Sequence, residues 1–263
     1  MKFAAVGSNC IDFYENLDGG TPFPGGGPVN MAVYAAEMGA QSAYVGPVGQ
    51  DAFGRLLRRA VAEKGVDVSR LAERPGSTAV TQVRLEDGDR VLGEYAEGVL
   101  ADYRLSQEDL DFLRGYDVVV CDLWGKVGGQ FRELQAMGVP TAFDGADRPE
   151  DPACQEALPF TDYLFFSAQE DTPALRRQMR GYALRGPKMV VATLGKLGSL
   201  CWDGQAFYTF GIVPCDRVVD ALGAGDSYIT GFLLGIAEGW PVEKAMEQGA
   251  RKAAKTLSHF GAW

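Results

Sequence analysis

The sequence predicts a three-layer α/β sandwich, in which helices cover both faces of a central, mostly parallel sheet and a small second sheet is attached. Short apolar runs without polar–apolar alternation are interleaved with helical patterns along most of the 263 residues. This interleaving is typical of strands buried on both faces of a parallel sheet. Residues 78–98 instead alternate with period two, which is typical of a hairpin with one face in water.

The N-terminal half contains two strand–helix units and the alternating region. "FAAVGS" is predicted to be a strand, and the helix "PVNMAVYAAEMGA" has Pro28 in its first turn and Gly39 at its end. The strand "SAYVGPVG" and the helix "DAFGRLLRRAVAEKG", closed by Gly65, follow. The hairpin turns at Asp87-Gly88-Asp89, and residues 13–23 are predicted to join it. We expect the resulting small sheet to be a lid over a site, with a plain edge hairpin as the alternative.

The C-terminal half continues the alternation of strands and helices. The predicted strands are "DVVVCDLWG", "PTAFDGA", "DYLFFSA" and "KMVVATLG", with helical patterns such as "TPALRRQMRGYALRG" between them. Two helices, at 226–238 and 242–258, close the chain. No repeat or linker interrupts the pattern, so we expect one domain over residues 1–263, with a lid formed by about 13–23 and 78–98.

Composition restricts the classes of function. The net charge of −10 argues against nucleic acid as a partner. No apolar run reaches the length of a membrane span, so no membrane partner is expected. The five cysteines have no CxxC spacing and indicate a reducing compartment, so we expect a cytoplasmic protein. His259 is the only histidine, which leaves almost no material for histidine-based catalysis or metal sites.

The stretch "VVDALGAGDSYITGFLLG" is the strongest candidate for a catalytic site. It is predicted to place Gly223-Ala224-Gly225 between an apolar strand and an apolar helix. Small residues at a helix N-terminus let a phosphate approach the free amides closely. Asp226 would repel that phosphate, but it could take the proton from a hydroxyl that attacks phosphorus. The alternative is that Asp226 only caps the helix and the glycines form a tight turn.

Two further glycine clusters have the same character. In "VVATLGKLGSLCWDG", Gly195 and Gly198 follow a strand and suit a close approach of nucleotide phosphates, with Lys196 adding positive charge. "FPGGGPVN" places three glycines before a helix that has Asn30 in its first turn, and Asp12 follows the first strand. Asp12 and Asn30 are suited to hold sugar hydroxyls, with caps and turns as the alternative.

These segments, in this order, resemble the ribokinase-like (PfkB) carbohydrate kinases over essentially the whole chain. The resemblance rests on "PGGGPVNMAVYAAEMGA", "VGPVGQDAFGRLLRRAVAEKGVDVS", "TLGKLGS" and "DALGAGDSYITGFLLG". It implies a ribokinase-like sandwich with a β-sheet lid, and ATP-dependent phosphotransfer to a sugar hydroxyl. Within the family, the chain resembles kinases of the fructosamine fructoselysine, which implies phosphorylation of the 6-hydroxyl. This likeness rests on "GSNCIDFY", "TQVRLEDGDRVLGEYAEGVLADYRLS", "LWG", "AFDGADR", "SAQED" and "AAKTLSHFGAW". The alternatives are a kinase of a plain sugar or nucleoside and a non-catalytic sugar sensor.

The resemblance also implies a role for each site residue. Asp226 would be the general base, and the amides of Gly223, Ala224 and Gly225 the anion hole. The ATP site would consist of Thr193, Gly195, Lys196, Gly198 and Ser167. The sugar site would consist of Asp12, Gly26, Asn30, Tyr95 and Trp124. Glu170 and Asp220 would belong to cation sites. Glu170 would support Mg²⁺ through water, and Asp220 would order its loop and contribute to a site for a monovalent cation such as K⁺.

The sequence departs from the family pattern at two positions. Ala221 stands where the family usually has threonine, and Ser167 stands where it usually has asparagine. Neither change removes the predicted base or anion hole. The lid sheet is also expected to have open edges, which a homodimer could cover by pairing two lids.

Overall fold

Thirteen strands and eight α-helices form in the part of the chain that the computed structural model describes, residues 1–86 and 89–263. The strands are β1 Lys2–Val6, β2 Cys10–Tyr14, β3 Thr21–Gly25, β4 Gln41–Gly49, β5 Leu71–Arg74, β6 Val80–Glu86, β7 Asp89–Ala96, β8 Val118–Asp122, β9 Thr141–Asp144, β10 Tyr163–Ser167, β11 Met189–Thr193, β12 Ser199–Trp202 and β13 Phe207–Phe210. The helices are α1 Gly27–Glu37, α2 Ala52–Glu63, α3 Gln107–Leu113, α4 Phe131–Ala136, α5 Pro152–Ala157, α6 Pro173–Ala183, α7 Ala224–Ala237 and α8 Val242–Thr256.

The larger sheet is mostly parallel, as predicted. Its strand order is β13-β12-β11-β10-β9-β8-β1-β4-β5. Neighbouring strands from β11 to β5 in this order pair in parallel, whereas β12 and β13 are antiparallel and form one edge. The carboxyl ends of the parallel strands therefore lie along one side of the sheet, where ligands of open α/β sheets usually bind.

Helices cover both faces of this sheet, which confirms the three-layer architecture. In β1, Phe3 and Ala5 face a core shared with α1, α2, α7 and α8. Ala4 and Val6 face a second core, to which α3, α4, α5 and α6 contribute. Both sets are fully buried, and this is why the strand has no polar–apolar alternation in the sequence.

Local capping explains where several helices begin. The Asp51 carboxylate accepts a hydrogen bond from the Gly54 amide at 2.7 Å and starts α2. Thr172 caps α6 in the same way, and Pro173 fits the first turn because that position needs no amide proton. Gly39 and Gly65 have φ of 88° and 82° and follow the ends of α1 and α2, as predicted.

The predicted small sheet is confirmed, with the strand order β3-β2-β6-β7. Segment 13–23 contributes to β2 and β3, and segment 78–98 contains β6 and β7. The strands β6 and β7 are antiparallel, while β2 pairs with β6 in parallel. Of the turn predicted at Asp87-Gly88-Asp89, Asp87 and Gly88 lie outside the described residues, and Asp89 begins β7.

The strand predicted before Gly223 is wrong. Residues 211–220, all of them described, contain neither helix nor strand. Val218 and Val219 are 63% and 45% exposed, so their apolar character does not reflect burial in a sheet. The Val219 amide instead donates to the carbonyl of Leu257, just beyond α8, at 2.8 Å. The segment is therefore a surface connection tied to the C-terminal helix.

None of the described helices is long and apolar enough to cross a membrane. All five cysteines have free thiols.

Candidate active site

A cleft of about 560 Å³ lies between the carboxyl ends of the parallel strands and one face of the small sheet. The strands β2 and β6 of the small sheet line it at every second position, as the pleat requires. On β2 these are Cys10, Asp12 and Tyr14, and on β6 they are Thr81 and Val83. The period-two pattern of the sequence therefore gives the cleft one of its walls.

Two carboxylates from neighbouring strands form the floor of the cleft. Asp122 ends β8 and Asp144 ends β9, and the two residues are register partners in the parallel pair. The Ser8 hydroxyl donates to Oδ2 of Asp122 at 2.7 Å, and the Ala146 amide donates to Oδ1 of Asp144 at 2.9 Å. Oδ1 of Asp122 is buried without a hydrogen-bond partner of good geometry, although the nearby amides of Trp124 and Gly125 lower the pKa of this carboxyl.

Asp226 completes a group of three carboxylates. It lies in the first turn of α7, and the Asn30 side-chain amide donates to its Oδ2 at 2.8 Å. Burial raises the pKa of Asp226 to about 7, the Asn30 hydrogen bond opposes this rise, and the charges of Asp144 and Asp122 add to it. Burial likewise raises the pKa of Asp122 to about 7 and that of Asp144 to about 6. A carboxyl with a pKa near 7 can accept a proton and release it at neutral pH.

The glycine turn next to Asp226 requires glycine at its first position. Gly223 has φ of 74°, and a Cβ there would lie 2.3 Å from the Tyr34 hydroxyl oxygen. The helix begins at Ala224, two residues before the predicted start at Asp226. The Ala224 amide donates to the Ala221 carbonyl at 3.3 Å. The amides of Gly225 and Asp226 belong to the first turn, where N–H groups have no acceptor within the helix.

The residues predicted for ATP lie at the ends of β10 and β11. Ser167 and Thr193 are register partners, and their hydroxyl oxygens are 3.2 Å apart. Beyond Thr193, Gly195 begins a single 3-10 turn that contains the exposed Lys196. Gly198 has φ of 94°, and a Cβ there would lie 2.1 Å from the Phe210 carbonyl oxygen, so only glycine fits. Of these five residues, Ser167 also lines the cleft.

All five residues predicted for the sugar line the cleft: Asp12, Gly26, Asn30, Tyr95 and Trp124. Gly26 has φ of 103°, and a Cβ there would lie 2.7 Å from Cα of Asn9, so only glycine fits at this position. Tyr95 comes from β7 and its pKa is raised by burial. Trp124 is 40% exposed, with the Arg148 guanidinium 5.5 Å from the centre of its ring.

The two residues predicted for cations lie outside the cleft lining. Glu170 is exposed on the loop after β10. Asp220 orders its own loop, because its Oδ1 accepts from the Leu222 amide at 3.0 Å and its Oδ2 from the Gly261 amide at 2.8 Å. Within residues 1–86 and 89–263, no group of three or more histidine, cysteine or acidic side chains could hold a metal ion.

Sequence reasoning did not assign a role to several residues of the cleft. The most important are Asp122 and Asp144, which stand at the ends of the apolar runs "VVVCD" and "TAFD". A carboxylate directly after two successive parallel strands was the available signal, because such strands end on the same edge. The others are Ser8, Asn9, Cys10, Tyr14, Gly27, Thr81, Val83, Leu92, Gly93, Ala146, Asp147 and Leu222.

Comparison with known proteins gives consistent matches over the full chain. The family model described as pfkB family carbohydrate kinase matches residues 2–263. The chain is 43% identical over 260 residues to the fructoselysine 6-kinase of Shigella flexneri, covering 99% of this chain and 98% of that protein. It is 32% identical to the fructosamine kinase FrlD of Bacillus subtilis, covering 100% of this chain and 93% of that protein.

The fold has close structural neighbours. The structure of Arabidopsis thaliana ribokinase complexed with ribose and ATP superposes with a TM-score of 0.89. It covers 99% of this chain and 93% of the ribokinase chain, at 23% sequence identity. This likeness shows that the two proteins share a fold.

Proposed function

The chain belongs to the PfkB family of carbohydrate kinases, and from this premise we propose that it transfers the γ-phosphoryl group of ATP to the 6-hydroxyl of fructoselysine. Membership makes it an ATP-dependent sugar kinase; the acceptor and the residue roles are our proposal. The observation that carries the proposal is Asp226. Asp226 lies in the first turn of α7 and lines the same cleft as the predicted sugar residues.

Asp226 is the general base of the proposed reaction. As the substrate hydroxyl oxygen bonds to the γ-phosphorus of ATP, its proton moves to the Asp226 carboxylate and the bond from phosphorus to the ADP oxygen breaks. The charge on the transferring group increases near the start of α7. The Gly225 amide and the positive end of the helix dipole are suited to stabilise it. The adjacent Gly223 turn holds these groups in place before substrate binds.

The charge of the cleft supports a cationic acceptor. Five aspartates line the cleft: Asp12, Asp122, Asp144, Asp147 and Asp226. Among the described residues that line it there is no lysine, arginine or histidine. A fructosamine carries a secondary amine on its sugar carbon chain, and this amine is protonated near neutral pH. The desolvated carboxylates of Asp122, Asp144 and Asp226 therefore favour such a substrate over an uncharged sugar.

The residues near Ser167 fit Mg²⁺ that arrives with the nucleotide. Mg²⁺ prefers oxygen ligands, keeps several waters and is commonly held by substrate phosphates with few protein groups. Ser167, Thr193 and the exposed Glu170 offer only oxygen atoms. When bound there, the ion would neutralise phosphate charge, with Glu170 holding one of its waters. We keep a site for a monovalent cation near Asp220 as a prediction. Both oxygens of that carboxylate accept backbone hydrogen bonds, which orders the loop around it.

We assign the small sheet the role of a lid within a single domain of residues 1–263. Leu92 lines the cleft and is 70% exposed, so a bound substrate could bury it. Closure would exclude water from the transferring phosphoryl group. The edge strand β7 also exposes Val91, and pairing of two lids in a homodimer would cover this edge. We further propose a cytoplasmic location, which the free thiols favour.

The test is ATP-to-ADP turnover with magnesium against fructoselysine, other fructosamines, fructose, ribose and adenosine. We expect a clear preference for fructoselysine. Faster turnover of a plain sugar or nucleoside would keep the family chemistry and reject the proposed acceptor. Sugar binding without turnover of any acceptor would indicate a sensor, and would make Ala221 and Ser167 the residues to restore first.

A further inference from the structure

Three side chains far apart in the sequence form a hydrogen-bonded chain that ends on Asp226. The indole Nε1 of Trp263 donates to Oδ1 of Asn30 at 2.8 Å. Nδ2 of Asn30 donates to Oδ2 of Asp226 at 2.8 Å. An indole N–H can only donate and an ionised carboxylate can only accept. The orientation of the Asn30 amide is therefore fixed from both sides.

The backbone around Trp263 is fixed at neighbouring positions. The Gly261 amide donates to Oδ2 of Asp220 at 2.8 Å, and the Tyr34 hydroxyl donates to the Ala262 carbonyl at 2.5 Å. The Lys64 ammonium lies 5.4 Å from the centre of the Trp263 ring, which packs against the hydrophobic core. The segment is therefore tied to α1 and to the loop before the glycine turn. Trp263 itself does not line the cleft.

We propose that Trp263 is a positioning residue, which aligns the catalytic base Asp226 through the Asn30 amide. This inference rests on the proposed function, because it takes Asp226 as the base. Trp263 has no role in binding sugar or nucleotide in this proposal. Its contribution is to keep the N–H side of Asn30 toward the carboxylate.

Loss of the indole N–H has a defined consequence. Without it, the Asn30 amide can rotate and present its oxygen to the Asp226 carboxylate, where two acceptors repel each other. The Asn30 hydrogen bond lowers the pKa of Asp226, so its loss raises that pKa further above the ordinary range of a carboxyl. A base with a higher pKa is protonated, and therefore inactive, up to a higher pH.

The test is Trp263→Phe, which keeps an aromatic ring and removes the N–H. At low pH we expect kcat to fall about 3- to 10-fold, the effect of one hydrogen bond. The acidic limb of the kcat profile should move to higher pH, and the loss should shrink as pH rises. Trp240→Phe is the matched control, because Trp240 follows α7 at the end opposite Asp226 and its ring lies 3.7 Å from the Lys244 ammonium.

A double-mutant cycle with Asn30→Ala tests the route of the coupling. In the Asn30→Ala background, Trp263→Phe should shift the acidic limb no further. An equal loss at every pH, an unchanged profile, or an additive shift in the double mutant would overturn the proposal.

Titration of the Asp226 carboxyl carbon by NMR, in the protein without substrate, separates this inference from the proposed function. A higher pKa in Trp263→Phe supports the positioning role even if fructoselysine is not the acceptor. An unchanged pKa refutes the positioning role even if fructoselysine is phosphorylated.

Discussion

Asp122 and Asp226 face each other across Gly27. A Cβ built at Gly27 would lie 3.0 Å from Oδ2 of Asp122 and 3.3 Å from Oδ1 of Asp226. Burial raises the pKa of both carboxyls to about 7, and the charge of Asp144 adds to the rise in each. The absence of a side chain at Gly27 leaves the space between the two carboxylates open.

The first prediction concerns the pH dependence of turnover. Asp226 must be ionised to accept a proton, and its pKa is about 7. We therefore expect kcat/KM to be constant well above this pKa and to fall about tenfold per pH unit below it. The measurement is kcat/KM from roughly pH 5.5 to 9 with saturating ATP. A rate that stays constant down to the ordinary pKa of an aspartate would contradict the assignment of a buried base.

The second prediction concerns Asp144 and the acceptor. Its pKa is about 6, so it is the cleft-floor carboxylate that is most fully ionised at slightly alkaline pH. Asp144→Asn removes this charge and should lower the preference for fructoselysine over fructose about 10- to 100-fold, the effect of a charged hydrogen bond. The ratio of the two kcat/KM values is the measurement. Asp147→Asn, which removes an exposed carboxylate from the same cleft, is the control and should change the ratio less.

The third prediction separates two glycines of the proposed anion hole. A Cβ at Gly223 would collide with the Tyr34 hydroxyl, and φ is 74°, so Gly223→Ala should lower both the melting temperature and kcat. A Cβ at Gly225 meets no atom within 4 Å, so Gly225→Ala should keep the melting temperature and lower kcat, because the methyl group obstructs the phosphate. Gly181→Ala on α6 has equal space and is the control, with unchanged kcat. Full activity of Gly225→Ala would argue against the anion hole.

The fourth prediction concerns the small sheet as a lid. Leu92 lines the cleft, whereas its neighbour Val91 is exposed but does not line it. Leu92→Ala should raise KM for the sugar several-fold and increase ADP release without sugar phosphorylation, because closure excludes water less well. Val91→Ala should leave both quantities unchanged. If neither variant changes them, the sheet is a structural edge only.

The sequence predicted the features that follow from local patterns. Unalternating runs indicated the buried strands, period two indicated the small sheet, and the glycine turn indicated Asp226 as a site residue. The strand predicted before Gly223 was wrong because it rested on Val218 and Val219, which are exposed. An apolar pair in a sequence does not reveal whether it is buried. The hydrogen bond between Asn30 and Trp263 joins residues separated by 233 positions, and no local pattern encodes it.

Local sequence patterns also did not reveal the roles of Asp122 and Asp144. Each carboxylate alone resembles an ordinary polar strand end. The order of the two strands signalled that both carboxylates lie on one edge, but only the assembled sheet shows that β8 and β9 are adjacent and that Asp122 and Asp144 are register partners.

The most direct test of Asp226 as the general base is kcat with fructoselysine and ATP for the wild type and for Asp226→Asn. Asparagine keeps the size and can still accept from Asn30, but it cannot take a proton. We expect kcat to fall about 10²- to 10⁴-fold. Fructoselysine should still bind, and the melting temperature should not fall, because the variant removes a carboxylate whose raised pKa reflects an unfavourable buried charge. A folded Asp226→Asn variant with near wild-type kcat would show that another group is the base.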